Sequence, residues 1–120
     1  MIVKSPILPK RVRKVPRSFS WIDHRLIRDR HIDLCSHSQA ALYLFLVCAA
    51  DEKGLSYYGD GSIMAKLGMD PHTLEAARSG LIQNSLIAWQ KPIYQVLSLE
   101  PQESRTGSMM RLKDILGGAK

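Results

Sequence analysis

The sequence predicts an α+β domain, with a three-helix core, a small antiparallel sheet and a flexible basic N-terminal arm. Three observations predict it. Residues 60–99 read as two short helices joined by a tight turn and followed by a two-stranded ribbon. Residues 39–52 read as the longest helix, and its apolar run, 40–50, belongs at the centre of a core. The first 18 residues hold six cations, three prolines and no acid, a composition that does not pack.

The arm carries Lys4, Lys10, Arg11, Arg13, Lys14 and Arg17 among Pro6, Pro9 and Pro16. It serves either as a solubilising tail or as an arm lying along phosphates, where released counterions supply affinity. Its charge equals the net +6 of the whole chain; the other residues hold 11 bases and 11 acids. Within 19–99 the balance is 7 bases to 8 acids. A nucleic-acid binder usually shows a basic domain surface. Here the arm supplies the charge.

The domain begins at residues 20–33, where Trp21, Ile22, Leu26 and Ile27 share one face of a short helix and the charged residues lie outside. Ser36 precedes the long helix as its cap, and Gly54 ends it. Residues 55–58 form a short strand able to pair with the ribbon. Residues 62–67 make the next helix, burying Ile63, Met64 and Leu67. At the turn, Asp70 caps the following helix, Pro71 takes its first position, and Met69 and Leu74 form a hydrophobic staple. Leu74, Ala77, Leu81 and Ile82 then recur at helical spacing, and Asn84 supplies the left-handed turn that closes the helix. Residues 86–89 and 93–99 are strands, with Gln90, Lys91 and Pro92 turning between them. Helix, turn, helix, ribbon is the order of a winged helix. Beyond it, 100–108 has linker composition, and 109–116 places Met109, Leu112, Ile115 and Leu116 on one side of a possible short helix.

Catalytic and metal chemistry find little support. His31, Cys35 and His37 lie close together, but zinc sites usually show two paired ligand sets, and no second pair exists. No phosphate-binding glycine loop, Walker-type lysine or paired-carboxylate signature appears, so no enzyme, metal or cofactor is expected. Cys35 and Cys48 read as free thiols of a reducing compartment, Cys48 as a small hydrophobe in its apolar run. The N-terminus lacks a signal-peptide core, and the apolar run 40–50 is well short of the roughly 20 residues a membrane helix needs. A soluble, cytoplasmic protein without a membrane partner is expected.

The geometry of a helix-turn-helix defines the candidate nucleic-acid contacts. The second helix would enter the major groove with His72, Thr73, Ala76, Ser79 and Gln83 facing outward. His72 and Thr73 can bond base edges or phosphates, and Ala76 can touch a thymine methyl. Arg78 borders the core stripe and can reach a phosphate, as can the free N–H groups of the helix start. Glu75 opposes phosphate. Lys66 flanks the first helix, and Gln90 and Lys91 sit at the ribbon tip. With Lys10, Arg11, Arg13, Lys14 and Arg17 of the arm, these residues make up the expected site for double-stranded DNA.

The runs Ile63-Met64-Ala65-Lys66-Leu67-Gly68-Met69-Asp70-Pro71-His72-Thr73-Leu74 and Leu81-Ile82-Gln83-Asn84-Ser85-Leu86-Ile87 carry a resemblance. They resemble winged-helix domains of bacterial regulators and of replication-initiator or phage replisome-organiser proteins. The wider stretch 19–99, including Phe19-Ser20-Trp21-Ile22-Asp23-His24-Arg25, is similar to small proteins carried beside transposases on mobile elements. The resemblance implies a winged-helix fold and DNA transactions such as replication control, transposition accessory work or repression. The chain departs from the pattern at Gly59, where a Ser or Thr cap is usual and Asp60 would substitute. It departs again at Met64, in place of a small Ala, and at Ser85, in place of Gly. Gly80 also lies inside the second helix, at about 1 kcal/mol relative to Ala. The alternative is an adaptor that binds a transposase or replication protein through Trp89 and Tyr94, or through 109–116.

Overall fold

A computed structural model describes residues 2–99, and the expected linker and short helix at 100–120 lie outside the described residues. The fold is α+β, with four helices and one three-stranded antiparallel sheet: α1 Arg25–Arg28, α2 His37–Ala49, β1 Leu55–Tyr57, α3 Asp60–Leu67, α4 Pro71–Gln83, β2 Ile87–Gln90 and β3 Ile93–Val96. No helix among the described residues is long and apolar enough to cross a membrane.

The first helix is a single turn rather than the longer face expected. Asp23 explains its start: the carboxylate accepts from the Arg25 backbone N–H at 2.9 Å and pairs with the Arg25 guanidinium at 2.7 Å. The chain leaves the helix through Arg30, which sits at φ +66° in the left-handed region. Of the four apolar residues expected inside, only Leu26 is buried. Trp21 and Ile27 are 74% and 71% exposed, and Ile22 is exposed as well.

Helix α2 is central, with Leu42, Tyr43, Leu46 and Val47 buried. It starts at its serine cap, where Ser36 Oγ accepts from the Gln39 N–H. It is covered on most sides, and one narrow stripe stays open: Leu44 is 52% exposed and Cys48 faces solvent with it, one turn on. It also ends at Ala49, short of residue 52. The Asp51 carboxylate accepts from the N–H groups of Lys53 and Leu55, both at 2.9 Å, and a turn replaces the last helical turn. Gly54 completes that turn at φ +83°, where a Cβ would stand 2.8 Å from the Val96 carbonyl oxygen. No other residue fits there.

Strand β1 pairs with the ribbon as expected, and the sheet order is β1-β3-β2. The register sets Ser56 and Trp89 on either side of Tyr94, all facing the helices. Ala88, Gln90, Ile93, Gln95 and Tyr57 face away and are exposed. This alternation is that of a sheet with one face on the core. After Val96 the chain still follows β2, since the Leu97 N–H donates to the Leu86 carbonyl, and Leu99 is buried.

Candidate nucleic-acid interface

Helix α4 is built as its sequence requires. Asp70 accepts from the Thr73 N–H at 2.6 Å, Pro71 occupies the first position, and Met69 packs at the core edge near buried Leu74. Leu74, Ala77 and Leu81 are buried, and α4 packs chiefly on α2. Gly80 lies at that contact; a Cβ there would fall on the Gln39 side-chain amide. Its helix-propensity cost therefore goes with the close approach of the two helices. Ile82, expected inside, is 40% exposed.

The helix ends in a Schellman motif. The Leu86 N–H reaches the Leu81 carbonyl and the Ser85 N–H the Ile82 carbonyl, both at 3.0 Å. The left-handed residue is Ser85, at φ +61°, and not Asn84, at φ −85°. Ser85 stands where the resembled pattern has Gly. Local geometry therefore explains both the usual glycine and the cost of replacing it.

On the outer side of α4, His72, Glu75, Ala76, Ser79 and Gln83 are exposed together, and Thr73 is half-buried. Lys66 on α3 and Gln90 and Lys91 at the β2–β3 tip are exposed beside the same helix–turn–helix–ribbon unit. The helix start offers less to a phosphate than expected. Pro71 has no N–H, and the Asp70 carboxylate takes the Thr73 N–H. Hydrogen bonds from the Thr73 backbone and hydroxyl hold that carboxyl below the usual range, so it stays charged where a phosphate would sit. Any contact to a phosphate here would fall to side chains.

Arg78 corrects the expectation for this helix. It does not border the core facing a phosphate; it is buried, 7% exposed. Its Nη1 donates to Asp60 Oδ1 and to Tyr94 Oη, each at 2.9 Å. The guanidinium lies 3.9 Å over the Trp89 ring, which stacks on Tyr94 at 5.9 Å. Burial works against the charge, but the bonds to Asp60 and Tyr94 outweigh it and raise the Arg78 pKa above its ordinary value. One side chain thus ties α4 to α3 and to both strands of the hairpin. The sequence held a signal for this, because Arg78 follows Leu74 by four and precedes Leu81 by three, on the buried stripe.

The same network corrects two further expectations. Asp60 does not cap α3; it is the helix's first residue, Gly59 occupies the cap position without a side-chain bond, and the Asp60 carboxylate is turned to Arg78. Trp89 and Tyr94 do not form an exposed contact surface, since Tyr94 is 1% exposed and Trp89 half-buried between it and Arg78. Met64 packs half-buried against the core.

The cations divide sharply. Among the described residues from 19 onward, Arg25, Arg30 and Arg78 stand in salt bridges with Asp23, Asp33 and Asp60. Arg28, Lys53, Lys66 and Lys91 do not. In the arm, Lys4, Lys10, Arg11, Arg13, Lys14 and Arg17 are all exposed, with one 3-10 turn at Pro9–Arg11.

The His31, Cys35, His37 group does not converge. His31 is fully buried, and His37 is exposed at the start of α2. Cys35 is half-buried with its Sγ 4.0 Å from the His31 carbonyl. Burial pushes the Cys35 thiol up, away from the reactive thiolate. Among the described residues no three His, Cys, Asp or Glu side chains gather as a metal site would require. Comparison of the chain with protein-family models, with curated proteins and with solved structures gave no match.

Proposed function

We propose that the chain is a DNA-binding winged-helix protein. Helix α4 lies in the major groove, the β2–β3 hairpin acts as the wing, and the arm follows the phosphates. One observation carries the reading: the side of α4 opposite its leucines is open, with His72, Ala76, Ser79 and Gln83 exposed on it. The order α3, turn, α4, hairpin supports it, and so does a hairpin tip that ends in exposed Gln90 and Lys91. His72 and Ser79 carry groups that bond base edges, and Ala76 presents a methyl for thymine. Arg78 is left out of the contact set and acts from inside, fixing the hairpin against α4.

The face of α4 has no cation of its own and carries Glu75, so affinity must come from its surroundings. Six arm cations, with Lys66 and Lys91, make eight candidate phosphate contacts. The setting we propose is the one the resemblance implies: replication control, transposition accessory work or repression. The test is a salt titration on random-sequence duplex. Log K should fall against log salt with a slope of roughly −7 for eight contacts, and deleting residues 1–18 should leave a slope of about −2. Duplex binding that is unchanged by the deletion would exclude the arm as the source of affinity.

A further inference from the structure

A cleft of about 480 Å³ opens on the molecule at the point where the described chain stops. Its walls are Phe19 and Trp21 from the segment before α1, Tyr43 and Val47 from α2, and Val96 and Leu99 from the end of the sheet. Phe19 is 62% and Trp21 74% exposed, so two aromatic side chains stand open beside an apolar hollow. An apolar surface of this kind marks a binding site more often than bare surface. The arm does not fill it, since residues 2–20 are exposed throughout.

The rim has a sign. Asp51 and Glu52 line the cleft against a single Lys53, and Asp23, which also lines it, is already paired with Arg25. The Arg25 hydrogen bonds hold Asp23 at about 2, and backbone N–H groups hold the Asp51 carboxyl below the usual range. An occupant should therefore be apolar, with cations at its margins. Leu99 is itself a wall of the cleft and only 7% exposed, so the chain continues directly from the site. Nine residues, 100–108, reach at most about 30 Å, which is enough to leave the cleft and return. Next in sequence come Met109, Leu112, Ile115 and Leu116 at helical spacing, with Arg111, Lys113 and one acid, Asp114, between them, a net charge of +1.

We propose that this cleft is the docking site for the chain's own segment 109–116. Its apolar side chains meet Phe19 and Trp21, and its two cations meet the rim carboxylates. So short a helix is marginal alone in water, and the cleft supplies the packing it lacks. The tether gives an effective concentration of about 1 mM, so an intrinsic affinity only modestly tighter than that keeps the segment docked. This inference does not depend on the DNA reading.

Acrylamide quenching of tryptophan emission tests it in the full chain, compared with the double variant Leu112→Asp/Ile115→Asp. A Trp21→Phe version of each chain supplies the Trp89 background. The Trp21 signal should be quenched severalfold more strongly in the double variant. Excess peptide of residues 105–120 should restore its protection. Arg111→Glu/Lys113→Glu, which keeps the apolar residues, should also raise quenching. Equal Trp21 quenching in all three chains would overturn the proposal. Protection lost on dilution would overturn it too, by assigning the cleft to a segment from a second copy.

Discussion

Arg78 shows how one residue can look like a ligand contact and be a structural tie. A guanidinium on the second helix of a helix–turn–helix unit invites a phosphate, yet its neighbours at i−4 and i+3 already place it on the buried stripe. Truncation leaves the buried Tyr94 hydroxyl without its donor and opens a space over Trp89. Asp60 is partly solvated and recovers some of its loss in water. Arg78→Ala should therefore destabilise the fold by about 2–3 kcal/mol, measured by urea unfolding. Arg78→Lys should recover only part of this, because an ammonium lacks the planar fork. The salt slope of DNA binding should stay the same in any folded Arg78 variant, whereas Lys91→Ala should reduce it by about 0.9. Ser85 makes the complementary case. It holds a left-handed conformation that costs a side chain about 1–2 kcal/mol, partly offset in glycine by the entropy of the unfolded chain. Ser85→Gly should raise stability by about 0.5–1 kcal/mol in the same assay.

At the scale of elements, capping chemistry decides where helices begin and end, and much of it is titratable. Asp23 starts α1, Asp51 forms the turn after α2, and Asp70 caps α4. All three carboxyls are held below their usual range by those bonds, Asp23 at about 2. A depressed folded-state pKa means stability that is present above the unfolded carboxylate range, near 4, and lost as pH falls through the folded values. The urea midpoint should therefore be level from neutral pH to about 5 and then decline toward about 2. Asp23→Asn should flatten the acid end of the decline. A midpoint independent of pH across that range would remove these carboxylates from the account.

The elements also show what was legible in the sequence. Asp70, Pro71 and the Leu74-Ala77-Leu81 spacing gave α4 its start and its buried face, because capping and periodicity are local signals. The short strand at 55–57 and the hairpin were readable for the same reason. The errors arise where a long-range partner decides. Asp60 reads as a local cap, but Arg78, 18 residues away, takes its carboxylate. Trp21 and Ile27 fitted a helical face, but no helix of that length forms, because Asp23 and Arg30 limit it to one turn. Leu44 and Cys48 belong to an apolar run, and composition alone does not say that one stripe of the run stays exposed.

At the scale of the whole molecule, charge and shape are divided between two parts. The folded domain is close to neutral and forms salt bridges with three of its cations, while the arm carries six in the open. Such a protein would be held on DNA mainly by its arm and oriented by α4 and the hairpin tip. Affinity and register then become separable properties: removing the arm lowers affinity for every sequence, while changing His72, Ala76 or Ser79 alters discrimination with little effect on the salt slope. The cation division was legible in the sequence. The outward side of α4 was legible too, from the spacing of its leucines; that neither sheet nor arm covers it was not, since that depends on how they are placed.

The most direct test of this account is a backbone-amide NMR titration of the full chain with a short DNA duplex. The largest shifts outside the arm should fall at His72, Ala76, Ser79 and Gln83 of α4 and at Gln90 and Lys91 of the hairpin tip, with the outer-sheet residues Tyr57 and Gln95 unmoved. Shifts confined to the arm, or centred on the sheet face while α4 stays silent, would contradict it.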